Sequence, residues 1–135
     1  MKKILLIVLF LCFLSVPVYA QSTLALQEKC AEGAKNFFKQ HYTAYNKGED
    51  FEVITQYTNH YNKKLDRCFI RVELLRTGKS QPKRMIFLYD AFEGEEYGWF
   101  CFDLEKETIF VCYVKNENCN SLGEFDKLIR PYLEE

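Results

Sequence analysis

RMIFLYDAFEGEEYGWFCFDLEKETIFVCYV, residues 84–114, is the stretch whose reading decides the fold of this chain. Apolar and aromatic residues fill three runs, Met85 to Phe92, Tyr97 to Leu104 and Ile109 to Val114, and the polar turns Glu93-Gly94-Glu95-Glu96 and Lys106-Glu107 interrupt them. Runs of this length, rich in β-branched and aromatic residues and bounded by turn residues, read as antiparallel strands joined by hairpins. With Lys106-Glu107 as a two-residue loop, Leu104 faces Ile109, Phe102 faces Val111 and Phe100 faces Tyr113, which predicts one shared buried face.

Upstream, Cys68, Ile70, Val72 and Leu74 alternate with Arg71, Glu73 and Thr77, the period-two pattern of a strand with one buried and one wet face. The polar segment Gly78 to Lys83, with Pro82, makes a hairpin of this strand and the next. Glu49 to Arg67 is ambiguous: Tyr57, Tyr61 and Leu65 fit helical spacing, whereas Ile54, Gln56, Thr58 and His60 fit an extended chain. Ser22 to about Asn46 has a helical stripe of Leu26, Cys30, Ala34, Phe37, Phe38, His41, Tyr42 and Tyr45. Gly33 within it costs about 1 kcal/mol against Ala. Ser121-Leu122-Gly123-Glu124 is a capping box that opens a last helix, with Leu122, Phe125, Leu128, Ile129 and Leu133 as its apolar stripe and Pro131 expected to kink or fray its end. The expected fold is α+β: a four-stranded antiparallel meander with the N-terminal and the C-terminal helix packed on one face.

Residues 1–20 have the form of a secretory signal: Lys2 and Lys3, an apolar run from Ile4 to Leu14, and Val18-Tyr19-Ala20 before Gln21. The run falls short of the ~20 apolar residues a spanning helix needs, so no membrane insertion is expected after cleavage. Leu11 directly before Cys12 argues against a lipid-modified cysteine. Residues 21–135 are then a single disulfide-stapled domain of a periplasmic or secreted protein, and the short Lys-Lys signal looks bacterial. Its net charge of about −3 argues against nucleic acid, which calls for a basic stripe.

Five cysteines remain in residues 21–135, which in an exported protein reads as two disulfides and one leftover thiol. Cys30, on the apolar stripe of the first helix, and Cys68, on the apolar face of the first clear strand, both point into the helix–sheet interface. A bridge between them would close a loop of ~39 residues and stabilise by roughly 4 kcal/mol. Cys101 and Cys112 are directly opposed in the register above, but at a hydrogen-bonded position where a bridge is awkward. Cys112 with Cys119 closes a short loop worth ~2.5 kcal/mol and is preferred. Cys101 would then be a free thiol, buried among aromatics or able to link a dimer through an intermolecular disulfide.

Several segments carry a resemblance: C-A-E-x-A-K-x-F-F from Cys30, N-H-Y-N-K-K-L-D-R-C-F from Asn59 to Phe69, L-Y-D-A-F-E-G-E-E-Y from Leu88 to Tyr97, and E-F-D-K-L from Glu124. Together with cysteines matching Cys112 and Cys119, they make the chain similar to small exported bacterial proteins of unknown function. The resemblance implies export and, since Cys101 has no counterpart there, supports treating it as the odd cysteine. It implies no activity, ligand or catalytic residue.

Candidate chemistry is sparse. A nucleophilic Cys101 would need His60 or His41 as its base, and a glycosidase would need a carboxylate pair such as Asp90 and Asp103. His41, His60, Asp90, Glu93, Glu95 and Glu96 lack the spacing of a zinc or calcium site, and no cofactor motif is present. The expectation is therefore a non-enzymatic exported module that binds an envelope protein or a secreted enzyme, with a small exported hydrolase or thiol enzyme as the alternative. The candidate binding surface is the acidic turn with its aromatics: Asp90, Glu93, Glu95, Glu96, Tyr97 and Trp99.

Overall fold

A computed structural model describes residues 18–79 and 81–134; the core of the predicted signal, residues 1–17, lies outside the described residues. Helix α1 spans Val18–His41, strand β1 Tyr45–Lys47, β2 Phe51–Asn62, β3 Arg67–Gly78, β4 Lys83–Asp90, β5 Glu96–Asp103, β6 Thr108–Val114, β7 Glu117–Asn118, and helix α2 Leu122–Leu133. The seven strands form one antiparallel sheet in the order β1-β2-β3-β4-β5-β6-β7. The α+β class and the meander agree with the sequence, but the sheet has seven strands rather than four.

The added strands come from two places. The ambiguous segment becomes β2, which pairs with β3 from Phe51↔Gly78 to Asn62↔Arg67. Its helical spacing is overridden by this long ladder, in which Thr55, Tyr57 and Tyr61 line one face and Thr58, His60 and Asn62 the other. The short strands β1 and β7 extend the edges, pairing with Glu52–Ile54 and with Tyr113 and Val114. Tyr45, placed by its spacing on the helical stripe, instead lies in β1, because the helix ends at His41.

The two helices sit on opposite faces, which corrects the one-face arrangement. Cys68, Ile70 and Val72 pack with Cys30, Ala34, Phe37 and Phe38 of α1. Phe69, between two of them in sequence, packs with Ile86, Leu88, Phe100, Phe125 and Ile129, the last two from α2. Consecutive strand residues point to opposite faces, so one strand serves both cores. Phe125 is fully buried, which stabilises by about 2–3 kcal/mol relative to an exposed ring.

Two bulges change what the strands present. Between β5 and β6 the register runs Cys101↔Val111 and then Phe102↔Ile109, leaving Phe110 as the extra residue, 56% exposed. The loop is longer than two residues, Leu104 to Glu107, with Glu107 in the left-handed region at φ 52°. Asp103 Oδ1 accepts from the amides of Glu105 and Lys106, so a side chain rather than primed-turn chemistry closes it. The predicted single face of six residues therefore breaks: Phe100, Phe102 and Ile109 join the α2 core, Trp99 is opposite Tyr113, and Leu104 is exposed. Cys112 is opposite Phe100, not Cys101.

The structure contains the bridges Cys30–Cys68 and Cys112–Cys119, and Cys101 is free and buried. At α2, Ser121 Oγ accepts from the Glu124 amide at 3.1 Å, while the Glu124 carboxylate reaches the amide of Asn120 rather than that of Ser121. Pro131 lies inside the helix, which continues to Leu133. Buried Asn62 explains how this end holds: its Nδ2 donates to the carbonyls of Pro131 and Tyr132, at 2.8 and 3.3 Å, and its Oδ1 accepts from Leu65 N. One side chain thus satisfies carbonyls left open at the helix end and shapes the β2–β3 turn.

Candidate binding surface

The acidic turn is not one surface. Asp90 is 2% exposed; its Oδ1 accepts from the amides of Phe92 and Glu93, and its Oδ2 pairs with Arg67 at 2.6 Å. It holds the turn from inside. Glu95 pairs with Lys115 at 2.7 Å, which holds its carboxyl below the usual range, and lies 3.7 Å from Arg67. A bulge at Leu88/Tyr89 lets Tyr97 as well as Gly98 turn toward α2. There the Tyr97 ring meets Phe69 and Tyr132 edge-on, with centroids 5.0 and 5.4 Å away, and the Lys115 ammonium lies over it. Glu93 is exposed at the rim, while Glu96 and Trp99 belong to the α1 side. The structure therefore brings Glu96 and Trp99 to one face, sends Tyr97 to the other, and buries Asp90.

The catalytic pairs do not assemble. Cys101 is opposite Met85 on the α1 side, whereas His60 is opposite Phe69 on the α2 side. His41 lines a cleft with Tyr89, four residues along β4 from Met85 and hence ~13 Å away at the strand's rise. Burial pushes the Cys101 thiol up, away from the thiolate a nucleophile needs. Asp90 and Asp103 end successive antiparallel strands, so they lie at opposite ends of the sheet, each capping its own turn. Among the described residues no group of three or more His, Cys, Asp or Glu could hold a metal ion, and no helix is long and apolar enough to cross a membrane.

What the structure does assemble is an aromatic surface beside α1. The helix lies over β2 and β3 and reaches β4 through Phe37, whose ring is 5.2 Å from that of Tyr89. Beyond it, Phe87 stacks on Tyr89 at 5.8 Å and on Trp99 at 5.7 Å, all three half-buried. Tyr42, just past the helix end, donates its hydroxyl proton to Tyr89 Oη at 3.1 Å, and Tyr113 donates to Glu96 Oε1. The hydrogen bond to Glu96 pushes the Tyr113 phenol up to about 12. Desolvation raises Tyr89 and Tyr42, and the Glu96 carboxylate adds to both. Between the end of α1 and the β4–β5 turn lies an open cleft of about 320 Å³ lined by Phe37, His41, Tyr42, Tyr89 and Gly94.

Sequence reasoning missed Tyr42, Phe87, Tyr89 and Tyr113 as a group, because with both helices on one face nothing marked a helix-covered face as only partly covered, and the aromatics there read as core. The available signal was the alternation of Phe87 and Tyr89 with the buried Ile86 and Leu88. No protein family, no curated protein and no solved structure matches this chain.

Proposed function

We propose that this chain is an exported, disulfide-stapled, non-enzymatic domain that binds an envelope protein or a secreted enzyme through the aromatic surface beside α1. The observation that carries this reading is that Phe87, Tyr89, Trp99 and Tyr113 stand half-buried on a face that α1 covers only over its neighbouring strands. Rigid rings with few rotatable bonds, rimmed by polar groups, suit recognition of a protein surface. Two intramolecular disulfides support an oxidising compartment, in which such bonds persist. The alternative, a small exported hydrolase or thiol enzyme, lacks the pairing of Cys101 with His60 and of Asp90 with Asp103. A disulfide-linked dimer through Cys101 would require its thiol, 5% exposed, to leave the sheet.

The test is site-specific photo-crosslinking in envelope extract. A crosslinker at Val111, on the aromatic face, should yield a discrete adduct that one at Lys127, exposed on α2, does not. Indistinguishable adduct patterns from the two positions would refute the assignment of the surface.

A further inference from the structure

The cleft at the end of α1 has a one-sided chemistry. The hydroxyl protons in and beside it are taken up within the protein: Tyr42 donates to Tyr89, Tyr89 is itself hydrogen-bonded to Glu96, and Tyr113 donates to Glu96. What remains facing a ligand is oxygen lone pairs, the His41 imidazole and the rings of Phe37, Tyr42 and Tyr89, and the exposed carboxylate of Glu96, opposite Tyr89 in the sheet, stands at the margin. No lysine or arginine lines the cleft, and the exposed Glu93 adds negative charge to the adjoining groove between α1 and the β4–β5 turn. An anion would find no lysine, no arginine and no free hydroxyl donor here, only the imidazole of His41. A cation would find ring faces, whose quadrupole attracts positive charge, and a carboxylate beside them.

We infer that this cleft accepts the lysine side chain of a protein partner, with the ammonium among Tyr42, Tyr89 and Glu96 and its aliphatic stem against Phe37. A primary ammonium carries three donors and no acceptor, which matches the two phenol oxygens and the carboxylate. The stem of four methylenes suits an apolar wall, and the cleft volume falls at the lower end of the range for ligand pockets. This inference rests on the proposed binding role and specifies how part of that surface is read. The acidic rim steers a basic partner segment toward the cleft before contact is made.

The probe is Nα-acetyl-lysine amide, titrated into the oxidised domain beginning at Gln21 and followed by amide chemical shifts. Its control is the Nε-acetylated analogue, which keeps the stem and loses the charge. The expected result is saturable shifts at His41, Tyr42, Tyr89, Gly94 and Glu96, with the control binding about tenfold more weakly. Glu96→Gln should weaken the lysine probe by about tenfold while the spectrum stays dispersed, and Tyr42→Phe should weaken it less. Absence of shifts with the lysine probe, or equal binding of the two probes, overturns the inference. An adduct at Val111 together with a failed lysine titration would refute the lysine cleft alone. A lysine titration that succeeds without that adduct would refute the wider surface alone.

Discussion

Replacing Gly33 by alanine sets two effects of similar size against each other. Alanine in a helix interior is favoured over glycine by about 1 kcal/mol, so sequence alone predicts stabilisation. In the structure, however, a Cβ at Gly33 would lie 2.3 Å from Cε1 and 2.9 Å from Cδ1 of Phe92, whose ring rests on the helix there. The ring must move out. Phe92 is 49% exposed, so about half of the roughly 2 kcal/mol for burying a phenylalanine is at stake, on the order of 1 kcal/mol. Gly33→Ala should therefore leave stability within about 0.5 kcal/mol of the parent, while in a Phe92→Ala background it should stabilise by about 1 kcal/mol. Urea unfolding of the four proteins, followed by far-ultraviolet circular dichroism, measures the coupling. Equal stabilisation in both backgrounds would refute the packing of Phe92 on Gly33.

Removing the Cys30–Cys68 bridge by a double alanine substitution should cost about 4 kcal/mol, and removing Cys112–Cys119 about 2.5 kcal/mol, since the sequence separations are 38 and 7. Denaturation of the two variants should preserve that order. Cys101 should resist iodoacetamide in the folded protein at neutral pH and react readily in urea, as its burial and raised pKa require; rapid labelling of the native state would contradict both. The phenols of Tyr42, Tyr89 and Tyr113 are raised above the ordinary tyrosine value, so the stability they supply is present below pH ~10 and lost as pH rises through the folded values. Tyr113→Phe should flatten that alkaline loss in a pH series of urea midpoints. Asp103 is depressed, first by the Lys106 amide and then by the Glu105 amide, after allowing for opposing desolvation. Its contribution is present above the ordinary carboxylate range and lost as pH falls through the folded value. Asp103→Asn, which keeps an acceptor for those amides, should flatten the acid limb.

The strands β3 to β6 were legible because Cys68 to Leu74 alternate cleanly and the turns carry glycine or charge. The stripe Cys30, Ala34, Phe37 and Phe38 was legible for the same reason at helical period. The two-face arrangement was present in Phe69 and in the run Met85 to Phe92, apolar on both sides, but local periodicity does not say which helix takes which face. The bulge at Cys101/Phe102 was hidden, because it adds Phe110 with no glycine or proline to mark it, whereas the one at Leu88/Tyr89 adds Tyr97 beside Gly98, an isolated strand glycine that was its available signal. Those two bulges undo the single-surface reading of Asp90 to Trp99 and the facing of Cys101 with Cys112. Asn62 was hidden too, since its partners are 69 and 70 residues away.

The sheet order also bears on how the chain can fold. Each strand pairs with the one made just before it, so a chain emerging N-terminus first can zip each hairpin as it appears, with little loop-closure entropy to overcome. Helix α1 precedes the strands it covers and can be sealed to them early by Cys30–Cys68. Helix α2 has no such freedom, because the clasp from Asn62 to Pro131 and Tyr132 joins the second strand to the last turn of the chain. Until those residues arrive, Phe69, Leu88 and Phe100 have no lid, so synthesis that stalls short of them leaves one complete core and one bare apolar face, the form of this protein most prone to aggregate.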